Sequence, residues 1–368
     1  MNENKIVCSI FLDLKKAFDT VNHTLLLQKL HKYGVRGITF DIFKSYLSNR
    51  KQYTIVNNTK SSLRNVSCGV PQGSILGPLL FLIYVNNINN ISIFETTLFA
   101  DDSYLSLSHS SPVILENAVN TELRKIKSWL EENKLSLNVQ KTSYMIFNGR
   151  KAKYDYEIMF GSSQLTQVTE IKYLGVTLDD KMSWNSHIKR LNKRLSSSVW
   201  ALSRLKNIVP ERSLMTIYYG LIHSSLIYCI SCWGGTSSNK LRKTQKLQER
   251  ALNIIIDQST DKTTDIYKQL NILTVSDQYR FQIAIIMHKT KRNVWAGNFN
   301  LTSMKSIHNH FTRFSSHDTY QVLPAKNEIF KRCLKFVGPS IWNSIPEDIK
   351  SDSIFTFKNK LKQHFLNR

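Results

Sequence analysis

Three aspartates stand at the ends of apolar stretches that the sequence predicts to be core strands. Residues 5–14 (KIVCSIFLDL) are rich in β-branched residues, which predicts a buried strand ending at Asp13. Residues 96–107 (TTLFADDSYLSL) predict two short strands with a turn at Asp101 and Asp102. Because an unpaired buried charge is costly, such carboxylates need counter-charge. A pair of Mg²⁺ ions would supply it, since Mg²⁺ prefers oxygen ligands and two ions can brace a phosphoryl transfer.

A tandem pair of aspartates can also do no more than mark a turn. Asp179 and Asp180 offer a comparison within the chain, because the polar stretch KMSWNS that follows them indicates a turn and a helix cap. Asp101 and Asp102 instead have apolar strand residues on both sides. On local sequence alone, a catalytic role for Asp101 and an ordinary turn are both open.

The order of patterns before residue 150 predicts the fold class. Strand, helix, hairpin, helix, hairpin, helix and strand follow one another, which is typical of an α+β layer structure. Alternation over residues 40–68 predicts a hairpin around Asn57–Lys60. Ser74 is predicted to cap an apolar helix with Pro78 in its first turn.

The character of the sequence changes after about residue 182. Three helical patterns in a row predict a helical domain, and residues 354–366 predict a final Lys-rich helix. The polar region 289–330 predicts a linker or a loosely packed segment.

The net charge of +23, from 50 Lys and Arg against 27 Asp and Glu, favours a polyanionic partner. Because aromatic residues make up 11% of the chain, nucleic acid is preferred over an anionic membrane. Five scattered cysteines exclude a disulfide framework, and Cys229 and Cys232 are predicted to be buried helical thiols. The apolar segment 214–239 is predicted to be a buried helix rather than a membrane span. An intracellular protein of the nucleus or cytoplasm is expected.

Five strings occur in an order that is specific to one family: FLDLKKAFDTVNH (11–23), GVPQGSILGPLLF (69–81), LFADD (98–102), LNVQKT (137–142) and YLGV (173–176). Each resembles a successive palm motif of reverse transcriptases from retrotransposons without long terminal repeats, of the jockey-like and chicken-repeat-like kind. The resemblance covers residues 5–180, and residues 338–365 resemble the carboxyl end of the same elements.

The resemblance implies an RNA-directed DNA polymerase with an α+β fold, in which an antiparallel palm sheet with helices on one face is followed by an all-α thumb. The expected divisions are a palm with partial fingers over residues 1–182, a helical thumb over 183–260, and a helical or linker region over 261–368. The implied partners are an RNA template, a DNA primer and deoxynucleoside triphosphates. The implied cofactors are two Mg²⁺ ions, with Mn²⁺ as a substitute.

The family's roles transfer residue by residue. Asp13 and Asp101 match the metal-binding aspartates, and Asp102 matches their weaker neighbour. Phe18 matches the bulky residue that bars a 2′-hydroxyl. The nucleotide site and the primer and template site are implied for the following residues: Gln72, Gly73 and Lys141 for the nucleotide; Tyr173, Leu174 and Gly175 for the primer; Lys189, Arg190, Lys193 and Arg194 for the nucleic-acid backbone.

The chain departs from the family pattern before Asp13, where only twelve residues stand in place of a basic fingers region. We therefore expect an amino-terminally truncated copy that binds nucleic acid and extends a primer barely or not at all. The alternative is a catalytically silent nucleic-acid-binding remnant of a mobile element. An unrelated two-metal nuclease ranks third, because GVPQGS and the hairpin aspartates argue against it.

Overall fold

The computed structural model describes residues 5–148, 154–256, 263–292, 294, 301–307, 318–325, 327–350 and 353–368. The chain divides into two compact units, and the boundary lies between Leu174 and Gly175. Each unit has a hydrophobic core of its own.

The first unit combines a central sheet with four helices and several two-residue strands. Its strands are β1 (Ile6–Leu12), β2 (Lys51–Gln52), β3 (Ile55–Val56), β4 (Thr59–Lys60), β5 (Arg64–Asn65), β6 (Glu95–Phe99), β7 (Asp102–His109), β8 (Ser143–Phe147), β9 (Met159–Phe160), β10 (Ser163–Gln164), β11 (Thr166–Gln167) and β12 (Glu170–Tyr173). Its helices are α1 (His23–Lys32), α2 (Gly37–Leu47), α3 (Leu76–Val85) and α4 (Pro112–Glu132), with a 3₁₀ turn at Asn86–Asn90.

The central sheet has the order β11-β8-β1-β7-β6. β1, β6, β7 and β8 pair antiparallel, as predicted, but β11 pairs parallel to β8. The prediction of a purely antiparallel sheet is therefore wrong at this edge. Residues 148–165 separate β8 from β11, and a connection of this length allows the chain to return in the same direction.

The two faces of the central sheet differ because side chains alternate along a strand. On β1, Cys8, Ile10 and Leu12 belong to the core that also contains α3 and α4, and α4 packs against β1 and β7. Ser9 and Phe11 point to the other face. The prediction that helices cover one face of the sheet is borne out for α4.

Residues 40–68 are not alternating strand throughout. The first part is helix α2, in which Phe40, Phe43 and Leu47 recur at the helical spacing of i, i+3 and i+7. The hairpin itself is confirmed, with β3 and β4 joined by Asn57 and Asn58, both of which have positive φ. Only Leu47 of α2 is fully buried, and Phe43 and Tyr46 are partly buried against the core of the first unit.

In its described residues, the second unit is helical apart from one short strand and an isolated bridge between Ser303 and Tyr320. It contains β13 (Val176–Asp179), α5 (Asn185–Leu205), α6 (Glu211–Ile217), α7 (Ser224–Ile227), α8 (Ile230–Trp233), α9 (Ser238–Ile256), α10 (Thr263–Gln269), α11 (Val275–Lys291), α12 (Met304–Ile307), α13 (Glu328–Lys331), α14 (Leu334–Asn343), α15 (Glu347–Lys350) and α16 (Ile354–Leu366). A π-helical turn at Tyr218–His223 joins α6 to α7. The final helix has the predicted bounds.

One hydrophobic core runs through the second unit from Val176 to Phe365. The expected division at residue 260 therefore does not coincide with a change of core, and the assignment of a separate thumb stays a prediction. The polar region 289–330 lies partly outside the described residues. The turn predicted at Asp179 and Asp180 is confirmed, because the Asp179 carbonyl accepts from the N–H of Met182 at 2.8 Å and its carboxylate from the N–H groups of Ser183 at 2.8 Å and Trp184 at 2.9 Å. The predicted helix cap is wrong, because these donors precede Asn185, the first residue of α5, and no described side chain caps that helix.

The apolar segment 214–239 is not one helix. Cys229 has a φ of 49°, in the left-handed region, and interrupts the helical path between α7 and α8. Cys229 is half-buried and Cys232 exposed, so the prediction of two buried helical thiols is wrong. Within the described ranges, no helix has the length and apolar character needed to cross a bilayer.

Lys29 connects α1 to the end of α3 inside the first unit. Its Nζ donates to the carbonyl of Tyr84 and, at 2.9 Å, to Oδ1 of Asn87, and it lies 4.6 Å from the centre of the Tyr84 ring. Burial, together with the charge of Lys32, lowers the pKa of Lys29 to about 8. The folded chain therefore releases this proton at a lower pH than the unfolded chain does.

We expect the free energy of unfolding to rise with pH between about pH 8 and 10 through Lys29. The unfolded chain still binds the proton there, whereas the folded chain has lost it, and stability increases with pH when the unfolded state binds more protons. Urea denaturation at several pH values should give a flatter profile for Lys29→Met than for wild type. Lys44→Met, on the exposed surface of α2, should follow the wild-type profile. Parallel curves for wild type and Lys29→Met would contradict this explanation.

Candidate active site

The three predicted carboxylates lie at one end of the central strands. Asp13 directly follows β1, and Asp102 is the first residue of β7. Because Leu12 lies opposite Ser103 in the antiparallel pair, the next positions outward are Asp13 and Asp102. Asp101 occupies the two-residue turn between β6 and β7. The strand that ends at Asp13 is therefore a direct neighbour of the hairpin that carries Asp101.

The carboxylates interact electrostatically. Partial burial raises the pKa of Asp102, and the negative charges of Asp101 and Asp13 raise it further. Among the described residues, no three or more His, Cys, Asp and Glu side chains are already gathered closely enough to hold a metal ion. The donor set is nevertheless entirely oxygen and its charges repel one another, which suits a hard divalent cation such as Mg²⁺.

A cavity of about 350 Å³ brings together residues from three separate parts of the sequence. Asp101 lines it together with Phe18 and with Gln72 and Gly73, which the motifs assign to the nucleotide site. Lys16 also lines this cavity, although the sequence argument did not select it. The sequence could have indicated this residue, because Lys16 is a cation that stands three positions after Asp13 within the first motif.

Phe18 and Gln72 are held in place by local contacts. The Phe18 ring stacks on Phe81 with 4.6 Å between ring centres, and the Phe18 carbonyl accepts from the N–H of Val70 at 2.8 Å. Nε2 of Gln72 donates to Oδ1 of Asp19 at 2.8 Å. The first and second motifs are therefore fixed to each other at the cavity.

Two glycines of the second motif have positive φ for different reasons. At Gly73, with φ of +80°, an added Cβ would meet nothing within 4 Å. At Gly69, with φ of +88°, an added Cβ would lie 2.8 Å from the backbone oxygen of Asp19. Gly69 therefore allows close packing against the first motif. Gly73 lines the cavity, and its lack of a side chain leaves open space there.

The loop of residues 136–142 is bonded to the strand end that carries Asp13. The Asp13 carbonyl accepts from the N–H of Asn138 at 2.7 Å, and the Asp13 N–H donates to Oγ1 of Thr142 at 3.2 Å. These contacts give Thr142 a positioning role that the sequence argument missed. Lys141 lies in the same loop with an exposed side chain and is not among the residues that line the cavity, so its role stays a prediction.

Tyr173 lies on the sheet face that carries the carboxylates. Its ring centre is 5.3 Å from that of Phe11 and 6.1 Å from that of Tyr104. Asp13 lies two positions after Phe11, and Tyr104 two positions after Asp102, so the members of each pair point to the same face. Because Phe11 lies opposite Tyr104, all four side chains share that face. Burial raises the pKa of Tyr173, and the charge of Asp102 raises it further.

The turn after Tyr173 is tight, because Leu174 and Gly175 both have positive φ, at 45° and 78°. The predicted primer turn therefore begins beside the carboxylates. Its contact with a primer stays a prediction.

The second unit carries the predicted basic face on α5. Lys189, Arg190, Lys193 and Arg194 are exposed, whereas the opposite face of the helix packs into the core of the unit. The sequence argument missed Trp200, which is 64% exposed, and the guanidinium of Arg204 lies 5.6 Å from its ring centre. Spacings of seven and four residues place Lys193, Trp200 and Arg204 on one helical face. This spacing is visible in the sequence and could have indicated that Trp200 belongs to the basic face.

Residues 1–178 match the family model described as reverse transcriptase (RNA-dependent DNA polymerase). Residues 1–178 are a reverse transcriptase domain. The chain is 29% identical over 293 residues to the probable RNA-directed DNA polymerase from transposon BS of Drosophila melanogaster, covering 75% of this chain and 32% of that protein. It is 26% identical over 293 residues to the polymerase from mobile element jockey of the same species, covering 76% and 31%.

The relatives of the reverse transcriptase domain confirm the resemblance to retrotransposons without long terminal repeats, and the chain spans about a third of their length. A solved telomerase structure from Candida albicans is 11% identical with a TM-score of 0.41, covering 73% of this chain and 51% of that one.

We expect alanine at the two glycines to destabilise the reverse transcriptase domain unequally. Gly73→Ala should lower the free energy of unfolding by roughly 1–2 kcal/mol through left-handed backbone strain alone. Gly69→Ala should lower it further, because the same strain is joined by a clash with the Asp19 backbone. Chemical denaturation of both variants provides the comparison. A Gly69→Ala protein as stable as Gly73→Ala would show that the close approach is unimportant.

Proposed function

We propose that the reverse transcriptase domain copies RNA into DNA by transferring a nucleotide from a deoxynucleoside triphosphate to a primer 3′-hydroxyl. The observation that carries this proposal is the single cavity lined by Asp101, Phe18, Gln72 and Gly73. A polymerase needs a carboxylate beside a nucleotide-sized space, and pockets of a few hundred Å³ accommodate such ligands.

The carboxylates would hold two Mg²⁺ ions, or Mn²⁺ as a substitute, through Asp13 and Asp101, with Asp102 contributing more weakly. Bound divalent ions would activate the primer hydroxyl and stabilise the charge that develops on the leaving pyrophosphate. Asp13 is suited to this role because hydrogen bonds from Asn138 and to Thr142 fix its backbone. The mutual repulsion of the three carboxylates favours binding of a cation.

The other lining residues would select and orient the nucleotide. Phe18, held against Phe81, leaves no room for a 2′-hydroxyl beside the sugar. Gly73 offers open space in front of its backbone, which permits close approach of the nucleotide. Lys16, which lines the cavity, would contact the triphosphate, and Lys141 is a candidate proton donor to the pyrophosphate.

A second cavity, of about 700 Å³, supports the assignment of a template path. It shares Lys16 and Gln72 with the first cavity and is also lined by Arg50 and Lys51. Cations beside a nucleotide site attract a phosphate backbone. We assign this cavity to the RNA template, and the turn at Leu174 and Gly175 to the primer end.

The second candidate function is nucleic-acid binding without synthesis. The exposed basic face of α5 favours it, because Lys189, Arg190, Lys193 and Arg194 belong to the second unit and need no carboxylate to contact phosphates. The two candidates differ in their dependence on Asp101.

Single-turnover primer extension on an RNA template, which detects even very slow synthesis, tests the proposal. Asp101→Asn should reduce the rate by about 10²-fold or more, because a charge stabiliser at the reacting centre is lost. Asp41→Asn, exposed on α2, is the matched control and should retain the wild-type rate. Mg²⁺-dependent binding of a deoxynucleoside triphosphate should fall in parallel. Equal synthesis and equal nucleotide binding by Asp101→Asn and wild type would overturn the proposal.

The α5 face should contribute to affinity in two physically different ways. Lys193→Ala should weaken binding of a primer–template and reduce the log–log salt slope by about 0.9 on duplex DNA, because one phosphate contact is lost. Trp200→Ala should weaken binding roughly 5- to 150-fold with the slope unchanged, because stacking on a base releases no counterions.

Fluorescence anisotropy at several salt concentrations separates the two effects. Trp200→Phe should restore part of the affinity, since an aromatic face remains. Phe355→Ala, on α16, removes another ring that is 74% exposed and should leave binding intact. A Trp200→Ala protein with wild-type affinity would exclude stacking at this position.

A further inference from the structure

A separate pocket in the second unit lies where two long helices begin. It has a volume of about 470 Å³ and is lined by residues 234–236, by one side of α9 from Ser238 to Glu249, and by the start of α11. Three cations line it, Arg242, Lys246 and Arg280, against the single carboxylate of Glu249. Three positive charges less one negative charge leave a net charge of +2.

The helix starts leave backbone donors available at the pocket. The first N–H groups of a helix have no acceptor within the helix. In α9, the N–H groups of Lys240 and Leu241 donate to Ser237, but within the described ranges Ser238 and Asn239 have no acceptor. In α11, the N–H of Ser276 is likewise unpaired among the described residues, although its neighbours Val275 and Asp277 are bonded.

Two buried hydroxyls of the pocket lining also lack partners. Tyr279 and Thr236 are each only 7% exposed, and neither side-chain oxygen has a hydrogen-bond partner in the described part of the chain. A buried hydroxyl without a partner is costly, so a ligand that supplied a hydrogen-bond partner would gain stability here. The Tyr279 hydroxyl lies against Gly235, where an added Cβ would come within 2.6 Å of it. Burial raises the pKa of Tyr279 to about 12, so this hydroxyl remains a donor at neutral pH.

The cations of the pocket are only weakly neutralised by the protein. Arg280 is 3.6 Å from the carboxylate of Asp277 in a partly exposed pair, and Arg242 donates to the side chain of Asn239 at 3.2 Å. Lys246 is an exposed cation at the edge of the pocket. Helix N-termini, cations and hydroxyl donors are the groups that bind phosphate in proteins.

We propose that the α9–α11 pocket binds a phosphate group, held by Arg242, Lys246 and Arg280 and by the starts of the two helices. The phosphate belongs either to a small ligand, such as pyrophosphate or a nucleotide, or to a nucleic-acid backbone. The volume accommodates a nucleotide as well as a bare phosphate. The proposal does not depend on the polymerase function, because every residue involved lies in the second unit.

Isothermal titration calorimetry with the full chain tests the pocket, using pyrophosphate, dAMP and a single-stranded oligonucleotide as separate probes. Arg242→Gln combined with Arg280→Gln should weaken at least one probe about tenfold or more. Lys243→Gln, exposed on α9 next to Arg242 and outside the pocket lining, removes one positive charge, as Arg242→Gln alone does, and should change each affinity less than twofold.

Tyr279→Phe provides a readout that a purely structural role would not produce. Removing an unpartnered buried hydroxyl should raise the unfolding temperature of the free protein, while phosphate binding weakens about two- to tenfold. Loss of small-probe binding in the double variant identifies a small ligand, and loss of oligonucleotide binding alone identifies a backbone phosphate. Either result supports the pocket. If the double variant fails to fold, Arg242→Gln alone replaces it. If the double variant binds every probe with the same affinity as Lys243→Gln, the proposal is overturned.

Discussion

The antiparallel pairing of β1 with β7 is the constraint on which the rest of the first unit depends. β1 is bonded on both sides, by β7 and by β8, and its inward side chains are almost fully buried. A shift of one residue in this register would move Cys8, Ile10 and Leu12 out of the core. The same register sets Asp13 opposite Asp102. Core packing and the positions of the carboxylates are therefore fixed by one set of strand hydrogen bonds.

The loops around these strand ends adopt backbone conformations that few residues tolerate. Lys16, Ala100, Gly69 and Gly73 all have positive φ, and each lies within or beside a motif. Such conformations persist where surrounding contacts determine them, as the bonds between Gln72 and Asp19 and between Val70 and Phe18 do here. The cavity is thus built from short loops held by a rigid sheet.

Much of this could be predicted from the sequence, for physical reasons that differ by element. β1, the hairpin of β6 and β7, α4 and α16 carry strong periodic patterns, and their type was predicted correctly. α2 was missed because its apolar residues also fit an alternating pattern. The break at Cys229 could not be predicted, since nothing in IYCISCW marks a left-handed residue. Lys16 and Trp200 were missed although their spacings from Asp13 and Lys193 are visible in the sequence, because spacing alone does not show which cavity or surface a side chain faces.

The hydrogen bond between Asp13 and Thr142 spans 129 positions of the chain. During synthesis at about 5–20 residues per second, roughly 6 to 26 seconds pass between the emergence of these two residues. For that interval β1 has no partner on its β8 side, and an unpaired apolar strand is a site of aggregation. β1 is the most buried strand of the first unit. Because it is synthesised first, it also spends the longest time without neighbouring strands on both sides. The exposure of β1 to aggregation during synthesis follows from topology rather than from weak packing.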